Sequence, residues 1–194
     1  MRYLRLLVVA LVVIAGPVLA GPLDDGMAAY GRQDYATAAS LLLPLAVNGE
    51  AFPQYMLGVM FDEGKFLPKD PQRALSWYRK AAEQDVPVAM AQFKLGNMYA
   101  DGRGVRKDDR QAVSWFRKAA EQGYAQAQLS LGLVYAKGEG LPKDDQQAYF
   151  WWLLASVGSN AYAVKNRDIV EKILTPQQRA AAQADARNWK PTKQ

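Results

Sequence analysis

The sequence repeats itself with a period of 36 to 38 residues. Leu57, Leu95 and Leu131 each stand in a Gln-x-x-Leu-Gly motif, and they lie 38 and 36 residues apart. The second halves of the units also correspond, with the small and aromatic positions kept in all three: residues 74–84 (ALSWYRKAAEQ), 112–122 (AVSWFRKAAEQ) and 148–155 (AYFWWLLA). A period of this length is typical of a stacked array of supersecondary units rather than of one globular core.

Each unit predicts two helices. In the first helix a Leu-Gly pair precedes an aromatic residue by one turn, as Gly96 precedes Tyr99. A glycine inside a helix costs about 1 kcal/mol relative to alanine. Its return in three copies therefore predicts a close contact between helices that a side chain would block. In the second helix Ala112, Phe116 and Ala119 are spaced i, i+4, i+7 and share one helix face.

The turn within each unit has a constant length. The distance from the leucine to the first alanine of the second helix is 17 residues in all three units. The two additional residues of the longer period therefore fall between units, around residues 85–88. An aspartate stands before each second helix, where its side chain is a good N-cap, and these residues are Asp70, Asp108 and Asp144.

These motifs resemble the SEL-one-like repeat, a relative of the tetratricopeptide repeat. The shared features are Leu-Gly-x-x-Tyr/Phe, a Gly-x-Gly turn, Ala-x-x-Trp-Tyr/Phe and Lys-Ala-Ala-Glu-Gln. The resemblance covers about residues 51–160, although residues 64–66 (GKF) depart from Gly-x-Gly in the first unit. It implies an all-α fold, a right-handed α/α superhelical solenoid of helix-turn-helix repeats. Proteins of this kind are expected to bind other macromolecules.

The flanking segments are predicted to complete the stack. Residues 31–49 resemble a degenerate leading unit, and Thr175 followed by Pro176 and Gln178 has the spacing of a capping box. Atypical ends shield the exposed faces of a repeat array. The expected organisation is a signal peptide (1–20), a leading repeat (21–50), repeats 1 to 3 (51–88, 89–124 and 125–160) and C-terminal capping helices (161–194).

The first twenty residues are expected to direct export. Arg2 and Arg5 precede an apolar run over residues 6–15, which Gly16 and Pro17 then interrupt. The run is shorter than the about 20 residues that span a bilayer. Small and aliphatic residues lead up to Ala20, which is the pattern of a cleaved secretory signal. We expect a periplasmic or secreted protein with no transmembrane segment once the signal is removed.

The residue inventory argues against most catalytic chemistry. The chain contains no histidine and no cysteine, so it lacks the residues of Ser-His-Asp and Cys-His catalysis and of the usual zinc sites. A Ser-x-x-Lys motif of serine β-lactamases is also absent. We predict no catalytic residue, no metal ligand and no cofactor, and we interpret paired carboxylates such as Asp108 and Asp109 as helix caps. The repeated tryptophans are predicted to pack between helices, and the Arg-Lys pairs that follow two of them to face solvent.

The expected function is a non-enzymatic scaffold of the bacterial cell envelope that binds a protein or peptide in the solenoid groove. The net charge is +5, but the basic residues do not form a continuous run, which argues against nucleic acid as a partner. Two alternatives stay open, a β-lactamase-like or other cell-wall hydrolase and a carbohydrate-binding component. In tetratricopeptide-like solenoids the first helices line the concave surface. The candidate partner-binding residues there, two positions before and after each core leucine, are Tyr55, Val59, Phe93, Asn97, Leu129 and Leu133.

We expect the exported protein to begin at Gly21. Signal peptidase would remove residues 1–20 and leave 174 residues. Intact-mass spectrometry of the protein recovered from its native host checks this. A mass that still includes residues 1–20 would contradict the signal-peptide prediction.

Overall fold

The computed structural model describes residues 21–66, 68–84, 88–158 and 160–192. The predicted signal peptide and residues 85–87 of the longer inter-unit segment lie outside the described residues. The described part of the chain forms ten helices and contains no strand. In order they are α1 (Pro22–Gly31), α2 (Tyr35–Val47), α3 (Ala51–Glu63), α4 (Pro71–Ala82), α5 (Ala89–Asp101), α6 (Asp109–Glu121), α7 (Ala125–Lys137), α8 (Asp145–Ser156), α9 (Ala161–Glu171) and α10 (Pro176–Asn188).

The helices stack as consecutive pairs. Each helix from α1 to α8 packs against the next one in the chain, and contact is most extensive within the pairs α3–α4, α5–α6 and α7–α8. These three pairs are the predicted repeats 1 to 3, and α1–α2 is a further pair in front of them. The predicted all-α solenoid is confirmed.

A glycine of the first helix lies against an aromatic ring of the second helix in every repeat. A Cβ placed on Gly58 would lie 2.5 Å from Cδ1 of Tyr78, which is closer than two carbons can approach. The same overlap recurs between Gly96 and Phe116, and between Gly132 and Trp152. The predicted close helix contact is thus confirmed, and its partner is an aromatic side chain.

Buried glutamines connect each first helix to the unit before it. The Nε2 groups of Gln54, Gln92 and Gln128 donate hydrogen bonds of 3.0, 3.3 and 3.2 Å to the carbonyl oxygens of Ala46, Ala82 and Ala120, respectively. These carbonyls belong to the last turn of a helix or its end, where backbone acceptors have no partner within the helix.

A second glutamine completes this network in two repeats. Gln84 donates to Oε1 of Gln54 over 2.8 Å, and Gln122 donates to Oε1 of Gln92 over 2.6 Å. Both donors come from the recurring Lys-Ala-Ala-Glu-Gln motif. Because buried polar groups are costly without hydrogen bonds, these paired amides explain why glutamine recurs at both positions.

The tryptophans of the second helices pack between units, as predicted. Trp115 is buried in a cluster with Leu75 and Met98, and Trp151 is buried in a cluster with Val113 and Phe116. Each tryptophan therefore contacts the core of the preceding repeat.

The lysines near these tryptophans face solvent, as predicted, and each also contacts an indole ring. Nζ of Lys118 lies 4.1 Å from the ring centroid of Trp115, and Nζ of Lys80 lies 4.4 Å from that of Trp77. The side chains are exposed, but each ammonium group lies over an indole face. Cation–π contacts at such exposed sites contribute about 0.5–1 kcal/mol.

The carboxylates near helix ends have two different roles. Asp70, Asp108 and Asp144 accept hydrogen bonds from backbone amides of the following helix, which confirms them as N-caps. Asp62 is different, because it is buried and forms a 2.5 Å ion pair with Arg103. This ion pair joins the end of α3 to the turn of the next repeat.

The C-terminal helices cap the array. Thr175 and Gln178 form the predicted capping box. Helix α10 packs on α8 rather than continuing the pairing with α9. The chain after α10 then returns to the junction of repeats 2 and 3, where the Thr192 amide donates a 2.8 Å hydrogen bond to the Glu121 carbonyl.

Gly96→Ala should destabilise the protein although alanine favours helices. The added methyl group would overlap the Phe116 ring, and overpacking of this kind costs about 1–3 kcal/mol. The matched control is Gly31→Ala, because nothing lies within 4 Å of a Cβ at Gly31 and such a change stays within about 0.5 kcal/mol. Urea unfolding of both variants measures the difference, and equal stabilities would contradict the contact.

Candidate functional site

The six candidate partner-binding residues differ in solvent exposure. The reference leucines are buried as predicted, at Leu57, Leu95 and Leu131. Leu133 is exposed at 37% and Val59 is buried at 7%. The remaining four are half-buried, and they are Tyr55, Phe93, Asn97 and Leu129.

Val59 is unsuited to partner binding. Its side chain belongs to a core cluster with Leu75 and Tyr78 of α4 and Met98 of α5. Helix α3 is covered by the preceding pair, by α4 and by the following repeat. More than one stripe of this helix is therefore buried, and Val59 lies on a buried stripe.

Three half-buried aromatic residues form what we call the aromatic stripe: Tyr55 of repeat 1, and Phe93 and Tyr124 of repeat 2. The ring centroid of Phe93 lies 5.4 Å from that of Tyr124 and 5.8 Å from that of Phe116. The Tyr55 centroid lies 5.9 Å from that of Tyr78. The stripe therefore rests on the same rings that pack against the helix glycines, which gives its side chains a firm support.

The hydroxyl groups of the stripe are neutral at physiological pH. Burial raises the pKa of Tyr124, and burial together with the nearby Tyr124 and Glu63 raises the pKa of Tyr55.

Tyr124 was not among the residues predicted from the sequence. This residue is the N-cap position of α7 and lies outside the helix, so a rule that counts from the core leucine does not reach it. The corresponding N-cap positions of α3 and α5 hold Glu50 and Val88. The indication in the sequence was that, of these three equivalent positions, one alone holds an aromatic residue.

The arrangement around the aromatic stripe is suited to binding an apolar or aromatic group. In the part of the chain that the structure describes, no group of three or more acidic, histidine or cysteine residues is placed to hold a metal ion. The buried carboxylate of Asp62 is already paired with Arg103. Around the stripe the available chemistry is aromatic contact, tyrosine hydroxyls and the Asn97 amide.

Stacked helix pairs with such a surface define a helical-repeat protein. The Sel1 repeat family model matches residues 54–86, 89–124 and 125–156, which is just over half of the chain. The chain belongs to the Sel1 repeat family. Sel1 repeat proteins are generally protein–protein interaction modules and are typically non-catalytic.

Two solved structures are similar to the chain. A Sel1 repeat protein from Oxalobacter formigenes is 32% identical with a TM-score of 0.71, and the match covers 75% of this chain and 59% of that one. A protective antigen present in uropathogenic Escherichia coli strains, which displays an SLR fold, is 30% identical with a TM-score of 0.54 and coverages of 87% and 44%. The chain thus spans less than two thirds of either relative. No curated protein matches the sequence significantly.

Among residues 21–66, 68–84, 88–158 and 160–192, none of the helices combines the length and apolar character that crossing a bilayer requires.

Tyr78→Phe should protect the protein at high pH. The Tyr78 side chain is fully buried, and its hydroxyl has no hydrogen-bond partner among the described residues. Burial and the nearby Asp62 raise its pKa above the ordinary value of 10.0. Above about pH 10 the unfolded chain releases this proton while the folded chain retains it, so wild-type stability falls as pH rises.

The measurement is the urea midpoint at pH 8 and pH 11. Tyr78→Phe should be neutral or stabilising at pH 8, because it removes an unpaired buried hydroxyl, and its midpoint should fall less at pH 11. Tyr162→Phe is the control, since Tyr162 is exposed. An equal fall in wild type and Tyr78→Phe would contradict the assignment.

Proposed function

We propose that this protein is a non-enzymatic scaffold of the bacterial cell envelope that binds a protein or peptide along the aromatic stripe. The observation that carries the proposal is the set of half-buried rings of Tyr55, Phe93 and Tyr124. Tyr55 packs on Tyr78, and Phe93 packs on both Phe116 and Tyr124. Side chains that are held in place lose little conformational entropy when a partner binds.

The chemistry of the stripe favours a peptide. Tyrosine and other aromatic residues dominate the binding energy of protein interfaces, because each buries a large area and a tyrosine adds a hydroxyl. Asn97 lies one turn after Phe93 on α5, and Leu129 lies on α7, whose N-cap residue is Tyr124. An amide beside apolar rings suits a peptide backbone, which presents donors and acceptors between its side chains.

Two observations support the envelope location. The first residues have the charged, apolar and small composition of a secretory signal. One structural relative is described as a protective antigen present in uropathogenic Escherichia coli strains. Both observations support the proposal that this chain acts in the periplasm or outside the cell.

The alternative functions gain no support from specific contacts. A carbohydrate-binding surface would be built on exposed tryptophan; Trp115 and Trp151 are buried between repeats, and Trp77 and Trp189 are half-buried. A hydrolase would need a free acid or nucleophile in a cleft, and the buried Asp62 is engaged by Arg103. Peptide binding is the function that the exposed and half-buried residues favour.

The test is crosslinking in intact native cells followed by purification of the tagged protein. The variant combines Phe93→Ala with Asn97→Ala, which removes one ring and one amide from the proposed surface. We expect the crosslinked partner to be lost while the melting temperature stays close to wild type. Thermal unfolding by circular dichroism gives that second measurement.

The matched control is Val157→Ala, because Val157 is 84% exposed and lies away from the stripe. This variant should keep the partner. If Phe93→Ala with Asn97→Ala retains the partner, the proposal fails. If the double variant instead unfolds, Tyr124→Ala tests the stripe at its one member outside a helix, and retained crosslinking there would also contradict the proposal.

A further inference from the structure

An apolar pocket lies at the junction between the leading helix pair and repeat 1. We call it the α2–α3 pocket. Its volume is about 230 Å³. Its walls are almost entirely apolar, and two large side chains at its edge are exposed, Leu43 at 47% and Phe66 at 56%. The complete lining consists of Ala36, Ala39, Ser40, Leu43, Leu57, Met60, Phe61, Lys65 and Phe66.

At the next two junctions between units, a polar contact occupies the position that corresponds to this pocket. The position of Leu43 in α2 corresponds to Arg79 in α4, and that of Phe61 in α3 corresponds to Tyr99 in α5. The guanidinium of Arg79 donates a 2.7 Å hydrogen bond to the Tyr99 hydroxyl. Arg117 and Tyr135 repeat this bond at 2.8 Å in the following junction. At the first junction, between α2 and α3, both equivalent positions hold apolar residues.

A smaller residue creates the space itself. Ala39 occupies the position that Leu75 fills in α4 and Val113 fills in α6. Both of these larger side chains are buried. The pocket is therefore the volume that a side chain fills in the later junctions.

The turn beside the pocket also departs from the repeat pattern. Phe66 adopts φ of +69°, and the equivalent Gly104 and Gly140 have φ of +68° and +75°. The left-handed region is unfavourable for a residue with a Cβ atom. Residues in such conformations concentrate at functional sites. Here the unfavourable backbone places an exposed aromatic ring at the edge of an apolar pocket.

We propose that the α2–α3 pocket binds an aromatic side chain that a partner peptide carries next to a carboxylate. An apolar cavity of about 150 Å³ accommodates benzene, and drug-sized ligands occupy about 300–1,000 Å³. The volume of 230 Å³ lies between these limits and suits one large side chain. Phe61, Phe66 and Met60 provide the ring and sulfur contacts that aromatic groups favour.

Lys65 supplies the charge that selects a carboxylate. It lines the pocket, and its Nζ atom lies 5.2 Å from the ring centroid of Tyr35. Among the described residues no carboxylate lies within ion-pair distance of Lys65. An acidic group beside the bound side chain would meet this ammonium. The site is separate from the aromatic stripe and does not depend on the function proposed for it.

The test uses N-acetyltryptophan as the probe, because it joins an aromatic ring to a carboxylate. Titration into protein with ¹³C-labelled alanine and methionine methyl groups should shift the Ala39 and Met60 signals saturably. N-acetyltryptophanamide lacks the charge and should bind about two- to fivefold more weakly, the range expected for one exposed ion pair. Octanoate tests an acyl chain in place of the ring and should bind more weakly than N-acetyltryptophan.

Two variants locate the binding. Ala39→Leu restores the side chain that fills the next junction and should abolish the saturable shift at Met60. Phe66→Gly removes the exposed ring and relieves the backbone, and it should weaken binding while the fold is kept. Phe93→Ala with Asn97→Ala, at the stripe, should leave probe binding unchanged, which separates this proposal from the previous one.

Three results would overturn the proposal. The first is undiminished binding of N-acetyltryptophan to both pocket variants. The second is equal affinity for the acid and the amide, which would remove the role of Lys65. The third is tighter binding of octanoate, which would make the pocket a site for an acyl chain.

Discussion

The contact between a helix glycine and an aromatic ring determines the spacing of every repeat. Tyr78, Phe116 and Trp152 each occupy the volume that a side chain at the facing glycine would need. Two helices can approach this closely only if one of them presents bare backbone. The ring then fills the interface, so the loss of helix propensity at glycine is offset by close packing. In repeats 1 and 2 that ring also supports a residue of the aromatic stripe.

Hydrogen bonds, more than apolar contacts, determine how each repeat is oriented on the previous one. Gln92 joins the Ala82 carbonyl and receives the amide of Gln122, so one buried side chain connects three segments of the stack. Apolar surfaces alone tolerate sliding, because burial has no direction. Hydrogen bonds require a specific geometry. The glutamine network therefore fixes how each repeat is placed on the previous one, and with it the alignment of rings across units.

The sequence predicted the parts of the structure that repeat. The period, the helix pairs, the aspartate caps and the glycine contacts follow from residues that recur in register, and each was found. The burial of Val59 could not be predicted, because counting from Leu57 identifies one face of α3 and not how many neighbours cover it. The Asp62–Arg103 pair was missed since its members are 41 residues apart and occur once. Tyr124 was missed because it lies outside a helix.

Departures from the repeat pattern are most informative when contacting positions change together. Arg79 and Tyr99 form a hydrogen bond, whereas the equivalent Leu43 and Phe61 are both apolar. A change at only one position would leave an arginine or a half-buried hydroxyl without its partner, which is unfavourable. Replacing both residues avoids that cost. The junction then has an open apolar pocket where the later junctions have a hydrogen-bonded polar contact. Ala39 and Phe66 then change in the same direction at the same junction. Four concerted differences at one junction are difficult to attribute to a degenerate end unit that only shields the stack, because shielding calls for polar residues at the surface.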